Sequence, residues 1–155
     1  MTVDSLESAG LEQMDGDAIE EFLGSQRVGV LGLPAEGPPY MVPISYGYDG
    51  DALYFTFVGG PDSRKRQLVD RAETAGFLVY DVRSMFNWES VILTGRPEAV
   101  PESELSDLEA VLEGAWRPEV FETAIASDDI VVYRFRIGER SGIKHTGLPP
   151  GFGDA

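Results

Sequence analysis

Three consecutive bases, Arg64, Lys65 and Arg66, follow Ser63 in a chain of 155 residues that holds only twelve Lys and Arg. They open a segment, Ser63 to about Ala72, that reads as a helix. Cations at a helix start oppose the helix dipole, whose N-terminal end is already positive, at a cost of about 0.3–1 kcal/mol each when exposed. A bound anion reverses that sign, because free N–H groups, dipole and side chains then act together. Gly59 and Gly60, just upstream, allow the backbone to come close to a ligand. Phosphate binding is one reading of the segment. Pairing of the bases with nearby acids such as Asp62 and Asp70 is the other.

Two further segments carry polar groups in strand-like settings. In Met41-Val42-Pro43-Ile44-Ser45-Tyr46, proline cannot donate to a sheet ladder, so Pro43 implies a sheet edge, a bulge, or a ligand in place of a neighbouring strand. Ser45 and Tyr46 then place hydroxyls beside exposed backbone. Asn87-Trp88-Glu89-Ser90-Val91 opens another strand with an aromatic ring and a hydroxyl, and Trp88 fits a core or an interface as well as a cofactor contact. His145 is the sole histidine, hence the sole candidate imidazole base, but nothing places a serine nucleophile beside it. A surface or interface position is the plainer expectation. Arg134, Arg136 and Arg140 alternate along one strand face and are expected to pair with acids. With no cysteine and one histidine, disulfides, iron–sulfur clusters and an ordinary zinc site are excluded, so redox work would need an organic cofactor.

The elements that must position these residues are mostly strands. Asp15 caps a short helix, Ala18 to Ser25, with Ile19, Phe22 and Leu23 on one face. Strands are predicted at 27–33, 39–48, 52–58, 75–82, 88–100 and 130–137, with Asp49-Gly50-Asp51 as a hairpin turn. Acidic helices are predicted at 102–113 and 118–126. Short turns between strands and few helices describe a mainly β (α+β) chain, an antiparallel barrel with flanking helices rather than a doubly wound sheet. Residues 1–14 read as a flexible acidic segment and 143–155 as a flexible tail around a single domain, 15–142.

The net charge of −15 is unevenly spread: −7 over residues 1–26, −2 over 27–100, −8 over 101–130 and +2 over 131–155. Acid is thus concentrated in the helical coats. Self-repulsion of this size is tolerable when screened, which points to a protein adapted to high salt; Lys65 and Lys144 are the only lysines. A face for a basic partner is the competing reading. No basic stripe exists to neutralise nucleic-acid phosphates. No apolar run reaches membrane-span length, and the N-terminus, acidic and without Lys or Arg before Arg27, has neither signal-peptide nor transit-peptide character, so a soluble cytoplasmic protein is expected.

The ordered set of segments RVGVLGL at 27–33, PYMVPISYGYDGDALYFTFVGGPDSRKRQLVDRAETAGFLVYDV at 39–82 and WESVILTGRPEAV at 88–100 resembles the pyridoxamine 5′-phosphate oxidase-like FMN-binding split-barrel family. Within it, the chain looks closest to small flavoproteins related to nitroimidazole-resistance proteins. The resemblance implies a six-stranded split barrel that forms a homodimer and binds FMN, or alternatively the deazaflavin F420, between subunits. It assigns Val42, Pro43, Ile44, Ser45 and Tyr46 to the isoalloxazine side, with Phe55, Thr56 and Phe57 on the same wall. Ser63, Arg64 and Lys65 would hold the phosphate, Ser63 also capping the helix, and Trp88 and Ser90 would lie near the flavin across the dimer interface. No metal site is implied. The function implied is a flavin-dependent oxidoreductase acting on a small molecule, the alternative being a non-catalytic flavin carrier or sensor. The C-terminal substrate motif of a true pyridoxamine phosphate oxidase is absent, which argues against vitamin B6 oxidation.

Overall fold

The structure, a computed structural model, describes residues 10–60, 62–113 and 130–147. Strand β1 spans Leu11–Gln13, followed by helix α1 (Gly16–Ser25), β2 (Val28–Leu33), β3 (Tyr40–Ser45), β4 (Gly47–Tyr48) and β5 (Ala52–Val58). Then come helix α2 (Arg64–Arg71), the long strands β6 (Ala75–Ser84) and β7 (Asn87–Ala99), a 3-10 helix (Glu102–Leu108) continuing as α3 (Glu109–Glu113), and β8 (Ile130–His145). All pairings are antiparallel, in the order β3-β2-β6-β7-β8-β5-β4, with β1 on the far end of β8. The curled sheet is not closed by hydrogen bonds, and β3 and β4 are its edges.

The sheet's concave side holds an aromatic core. Phe55 lies between Phe77 and Tyr133, each ring centroid 6.1 Å away, and Tyr46 meets Phe77 edge-on at 5.5 Å. Ile19, Phe22 and Leu23 of α1 close one end of this core, as their helical spacing predicts. β5 is apolar on both faces because both are covered. Leu53, Phe55 and Phe57 face the core, while Ala52 and Tyr54 pack under Leu108 and Leu112.

The strand expected over 39–48 is broken at Tyr46. Its N–H donates to the carbonyl of Arg27, 2.9 Å away, and its ring turns into the core, which separates β3 from β4. With β1 added, eight strands among the described residues replace the expected six. The expected helix 102–113 begins as a 3-10 helix, and the expected helix 118–126 lies outside the described residues.

The termini also differ from expectation. Leu11–Gln13 pairs with Ile143–His145, so residues read as flexible segments form part of the sheet. Gly138 and Gly142 interrupt the alternation that would have marked this end of β8. Gly142 is needed there: a Cβ would meet Met14 Sδ at 2.8 Å and Ile19 Cγ1 at 3.1 Å. Residues 1–9 and 148–155 lie outside the described residues.

The β4–β5 turn is held by Asp49. Its Oδ1 accepts from the N–H groups of Asp51 and Ala52, both at 2.8 Å, and its Oδ2 from the Tyr54 hydroxyl at 2.9 Å. Burial works to raise the Asp49 pKa, but the donors from Ala52, Asp51 and Tyr54, with the Arg134 charge, outweigh it and hold the pKa below its usual value. A lowered folded-state pKa contributes stability above the unfolded value that is lost as pH falls through the folded one. Asp49→Asn is therefore expected to lose stability at neutral pH and to lose less than the parent between about pH 5 and about pH 3. Urea midpoints at the two pH values check this.

Candidate functional site

The start of α2 is built by a glycine turn. Gly59, at φ 144°, adopts a conformation side chains rarely accept, and the Ser63 N–H donates to the Gly60 carbonyl at 3.0 Å. Ser63 occupies the N-cap position with its carbonyl accepting from the Gln67 N–H at 3.0 Å, but its hydroxyl makes no capping hydrogen bond. The expectation that this side chain caps the helix is thus corrected. The serine hydroxyl and the first-turn N–H groups share this end of the helix.

The three bases separate by face. The Arg64 guanidinium lies 5.5 Å from the centroid of the Tyr40 ring, at the start of β3, and Lys65 Nζ lies 5.6 Å from that of Phe57, near the end of β5. Arg66 is on the other side of the helix, towards Tyr133 and Asp70. There the Tyr133 hydroxyl donates to Asp70 Oδ1 at 2.7 Å, tying α2 to β8. Burial, then the bond to the Asp70 carboxylate, pushes the Tyr133 phenol well above its usual range. Among the described residues, no carboxylate lies within 4.0 Å of Arg64 or Lys65. Asp70, a partner the sequence offered, is bonded to Tyr133 instead. Two cations therefore stand at the positive end of a helix, resting on ring faces, with no counter-charge among the described residues.

The remaining sequence-predicted residues divide between the two sides of the sheet. Val42 and Ile44 pack against the core, Phe55 and Phe57 are buried in it, and Thr56 is half-buried on the opposite face of β5. Tyr46 is fully buried, with its hydroxyl donating to the Leu23 carbonyl at 2.8 Å, so it offers no side-chain group to a ligand. Burial holds its phenol well above the usual range. Pro43 is on edge strand β3, consistent with its missing N–H. It stands in register with Val30, Leu78 and Ile92 across β2, β6 and β7. By strand alternation Ser45, Ser90 and Trp88 share this outer face. Ser45 and Ser90 are separated by two intervening strands, roughly 14 Å at the usual strand spacing, so one chain does not bring them together.

That outer face is strongly apolar. Val28, Met41, Tyr80, Val82 and Ile92 are 50% to 69% exposed. Exposed apolar residues grouped on one face in this way are uncommon on a monomer's surface. His145, expected at a surface or interface, is 6% exposed, its Nδ1 lying 2.7 Å from the Phe86 carbonyl oxygen and its ring beside Trp88 and Phe86. It has no serine partner among the described residues. Arg134 pairs with Glu104 at 3.2 Å and Arg136 with Glu98 at 2.7 Å, as expected, whereas Arg140, expected to pair likewise, has no carboxylate within 4.0 Å among the described residues. The same described residues contain no group of three His, Cys, Asp or Glu side chains able to hold a metal, and no helix long and apolar enough to cross a membrane.

Sequence reasoning missed Tyr40 as the platform under Arg64 and the Tyr133–Asp70 tether. Neither left a local signal, because each depends on pairing between distant segments.

The sequence model of the family described as pyridoxamine 5′-phosphate oxidase matches residues 15–144. No curated protein sequence matches the chain. Among solved structures, the chain is similar to an FAD-binding protein from Mesorhizobium loti, with a TM-score of 0.69 and 24% identity over 88% of this chain and 98% of that one. It is also similar to an FAD and heme binding protein from Mycobacterium smegmatis, with a TM-score of 0.70 and 19% identity over 88% and 75% of the two chains. A candidate 5-nitroimidazole antibiotic resistance protein from Bacteroides thetaiotaomicron gives 0.66 and 20%, over 87% and 89%. These likenesses show the split-barrel fold.

Proposed function

The chain belongs to the pyridoxamine 5′-phosphate oxidase family, and from that premise we propose that it is a flavoprotein holding its cofactor by the FMN portion, with the phosphate at the start of α2. The observation that carries this reading is the pair of cations, Arg64 and Lys65, without a carboxylate partner among the described residues at the N-terminal end of a helix. The residues fit the group. Arg64 and Lys65 neutralise the phosphate, the first-turn N–H groups and the Ser63 hydroxyl donate to it, and Gly59 leaves the approach open. Pro43 and Ser45 border the ring from the edge strand. The bound flavin supplies hydride or electron transfer at its ring, and the protein supplies orientation and electrostatics.

The apolar outer face supports a homodimer in which Trp88 and Ser90 of one chain complete the site of the other. That arrangement removes the separation of roughly 14 Å between Ser45 and Ser90. We read the protein as an oxidoreductase of small molecules. A flavin carrier or sensor is the second reading, favoured by one observation: the only histidine is engaged with the Phe86 carbonyl.

The test is a visible spectrum of the purified protein, followed by anaerobic addition of NADH or NADPH. A flavin band that bleaches supports the enzyme; a flavin band that persists with both donors supports the carrier. A deazaflavin band replaces FMN with F420. No band, and no uptake of added FMN, removes the flavin reading altogether.

Salt adaptation belongs to the same proposal. Asp17, Glu20 and Glu21 on α1 and Glu102, Asp107 and Glu109 around the second acidic stretch are all exposed. Screening of their repulsion is expected to raise the thermal midpoint steadily from about 0.1 M to about 1 M KCl, as the Debye length falls from about 10 Å to about 3 Å. A midpoint insensitive to KCl would count against it.

A further inference from the structure

A cavity of about 360 Å³ opens on the outer face beside Pro43. The ladder between β2 and β6 runs only from Val30 to Gly32 on the β2 side. Around the end of that ladder Val28, Val30, Pro43 and Tyr80 form apolar walls, and Gln26 and Arg27 complete the lining. The size falls within the usual range for small-molecule sites. Gln26 and Arg27 are both held by their backbone. The Gln26 N–H donates to the Phe22 carbonyl at 3.2 Å, and the Arg27 carbonyl accepts from the Tyr46 N–H at 2.9 Å. Arg27 has no carboxylate within 4.0 Å among the described residues, and no acid lines the cavity. Two cavities beside α2 differ in this respect: Arg66 lines one together with Glu102, and Arg71 the other together with Glu36 and Glu73. A cation just past the C-terminal end of α1 complements the helix dipole, but that role requires no apolar cavity beside it.

We propose that this cavity is the substrate site, and that the substrate is a carboxylate carried on an apolar, ring-sized body. The inference rests on the reading that the flavin ring lies against Pro43 and Ser45, since Pro43 is then shared by ring and cavity. The Arg27 guanidinium pairs with the carboxylate, a planar fork of donors against two oxygens. The apolar body packs on Val28 and Val30 and against the Tyr80 ring. Mostly apolar walls with one charged group to fix orientation are the usual build of a small-ligand site. Val28 and Tyr80 are 50% and 54% exposed in the single chain, so a ligand there removes apolar surface from water. The chain as a whole, at a net charge of −15, repels anions, and a base in an acid-free cavity reverses that locally. A bare inorganic anion leaves the apolar walls uncovered, and a neutral ring leaves the guanidinium without its partner. A carboxylate on an apolar body satisfies both.

Titration of the full chain with 2-naphthoate and with its neutral counterpart 2-naphthamide, at one KCl concentration, tests this. Binding is read from the shift of the visible band of the FMN-loaded protein and, for the flavin-free protein, by calorimetry. 2-Naphthoate is expected to bind about tenfold or more tightly than 2-naphthamide and to shift the flavin band. Arg27→Gln is expected to bring the two ligands within about threefold of each other, with FMN affinity within about twofold of the parent. Equal binding of the two ligands, binding of neither, or a preference that survives Arg27→Gln overturns the inference and leaves the flavin reading standing. Competition between 2-naphthoate and FMN also overturns it, because the cavity is then the ring's own. A preference for 2-naphthoate that depends on Arg27 but leaves the flavin band unmoved overturns the placement beside the ring. A chain that takes up no FMN, yet shows that preference by calorimetry, removes the flavin reading and keeps the carboxylate site.

Discussion

Arg64→Ala combined with Lys65→Ala is expected to weaken FMN binding by about 100-fold or more, with circular dichroism and thermal midpoint close to the parent. Each side chain would supply a charge-assisted contact to the phosphate, worth about 1.5–3 kcal/mol, and each 1.4 kcal/mol is tenfold in affinity. The two contacts share one phosphate and are not additive, so the lower end of their sum is the safer expectation. Little stability is at stake in exchange. Neither side chain is in an ion pair among the described residues, and each opposes the helix dipole when no anion is bound. The apoprotein of the double variant should be as stable as the parent or slightly more so. A fluorescence titration with FMN, run beside a melt of the apoproteins, reads both quantities. Affinity unchanged within about threefold would remove the phosphate from this end of α2.

Ile92→Glu is expected to convert the protein to a monomer and to weaken flavin binding with it. Ile92 lies at the middle of the outer face, in register with Leu78, Val30 and Pro43, and is itself more than half exposed. A two-fold interface is self-complementary, so one substitution places two carboxylates in the buried patch. Stable interfaces of this type cover about 800 Å² per partner with an apolar centre, and a charge buried there without a partner costs several kcal/mol. Val82→Glu, on the same face, should act in the same direction. Val58→Glu is the control, since Val58 is equally exposed but stands on β5, two strands from β7 and outside the β3-β2-β6-β7 set that carries the patch. Sedimentation velocity of the three variants decides the matter. A parent that sediments as a monomer, or an Ile92→Glu dimer, would contradict the assembly proposed for the site.

How much of this was legible in the sequence depended on how local each signal was. The run Ala52–Val58 was readable as a strand because every residue in it is apolar or β-prone, and its burial on both faces follows from the same run. Pro43, through its missing N–H, left an edge, a bulge or a ligand open, and the structure places β3 at a sheet edge. The bases at 64–66 allowed two readings from sequence, an anion site or pairing with nearby acids, and the structure leaves Arg64 and Lys65 without a carboxylate within 4.0 Å among the described residues. Tyr46 was misleading. Its position at the end of a strand gave it the look of a ligand contact, but the backbone turns there and the hydroxyl is spent on the Leu23 carbonyl. His145 was misread for the opposite reason: glycines at 138 and 142 hid the strand that carries it into the sheet. Asp70 could not be separated from a salt-bridge partner of the bases until Tyr133, 63 residues away, was brought beside it.

The central claim is that a phosphate at the start of α2 anchors the flavin. Titration of the unmodified protein with FMN and with riboflavin, which differ only in that phosphate, tests it most directly. The account predicts saturable binding of one FMN per chain and riboflavin affinity weaker by about 100-fold or more, the contribution expected of two charge-assisted contacts. Equal affinity for the two ligands, or no saturable binding of either, would contradict it.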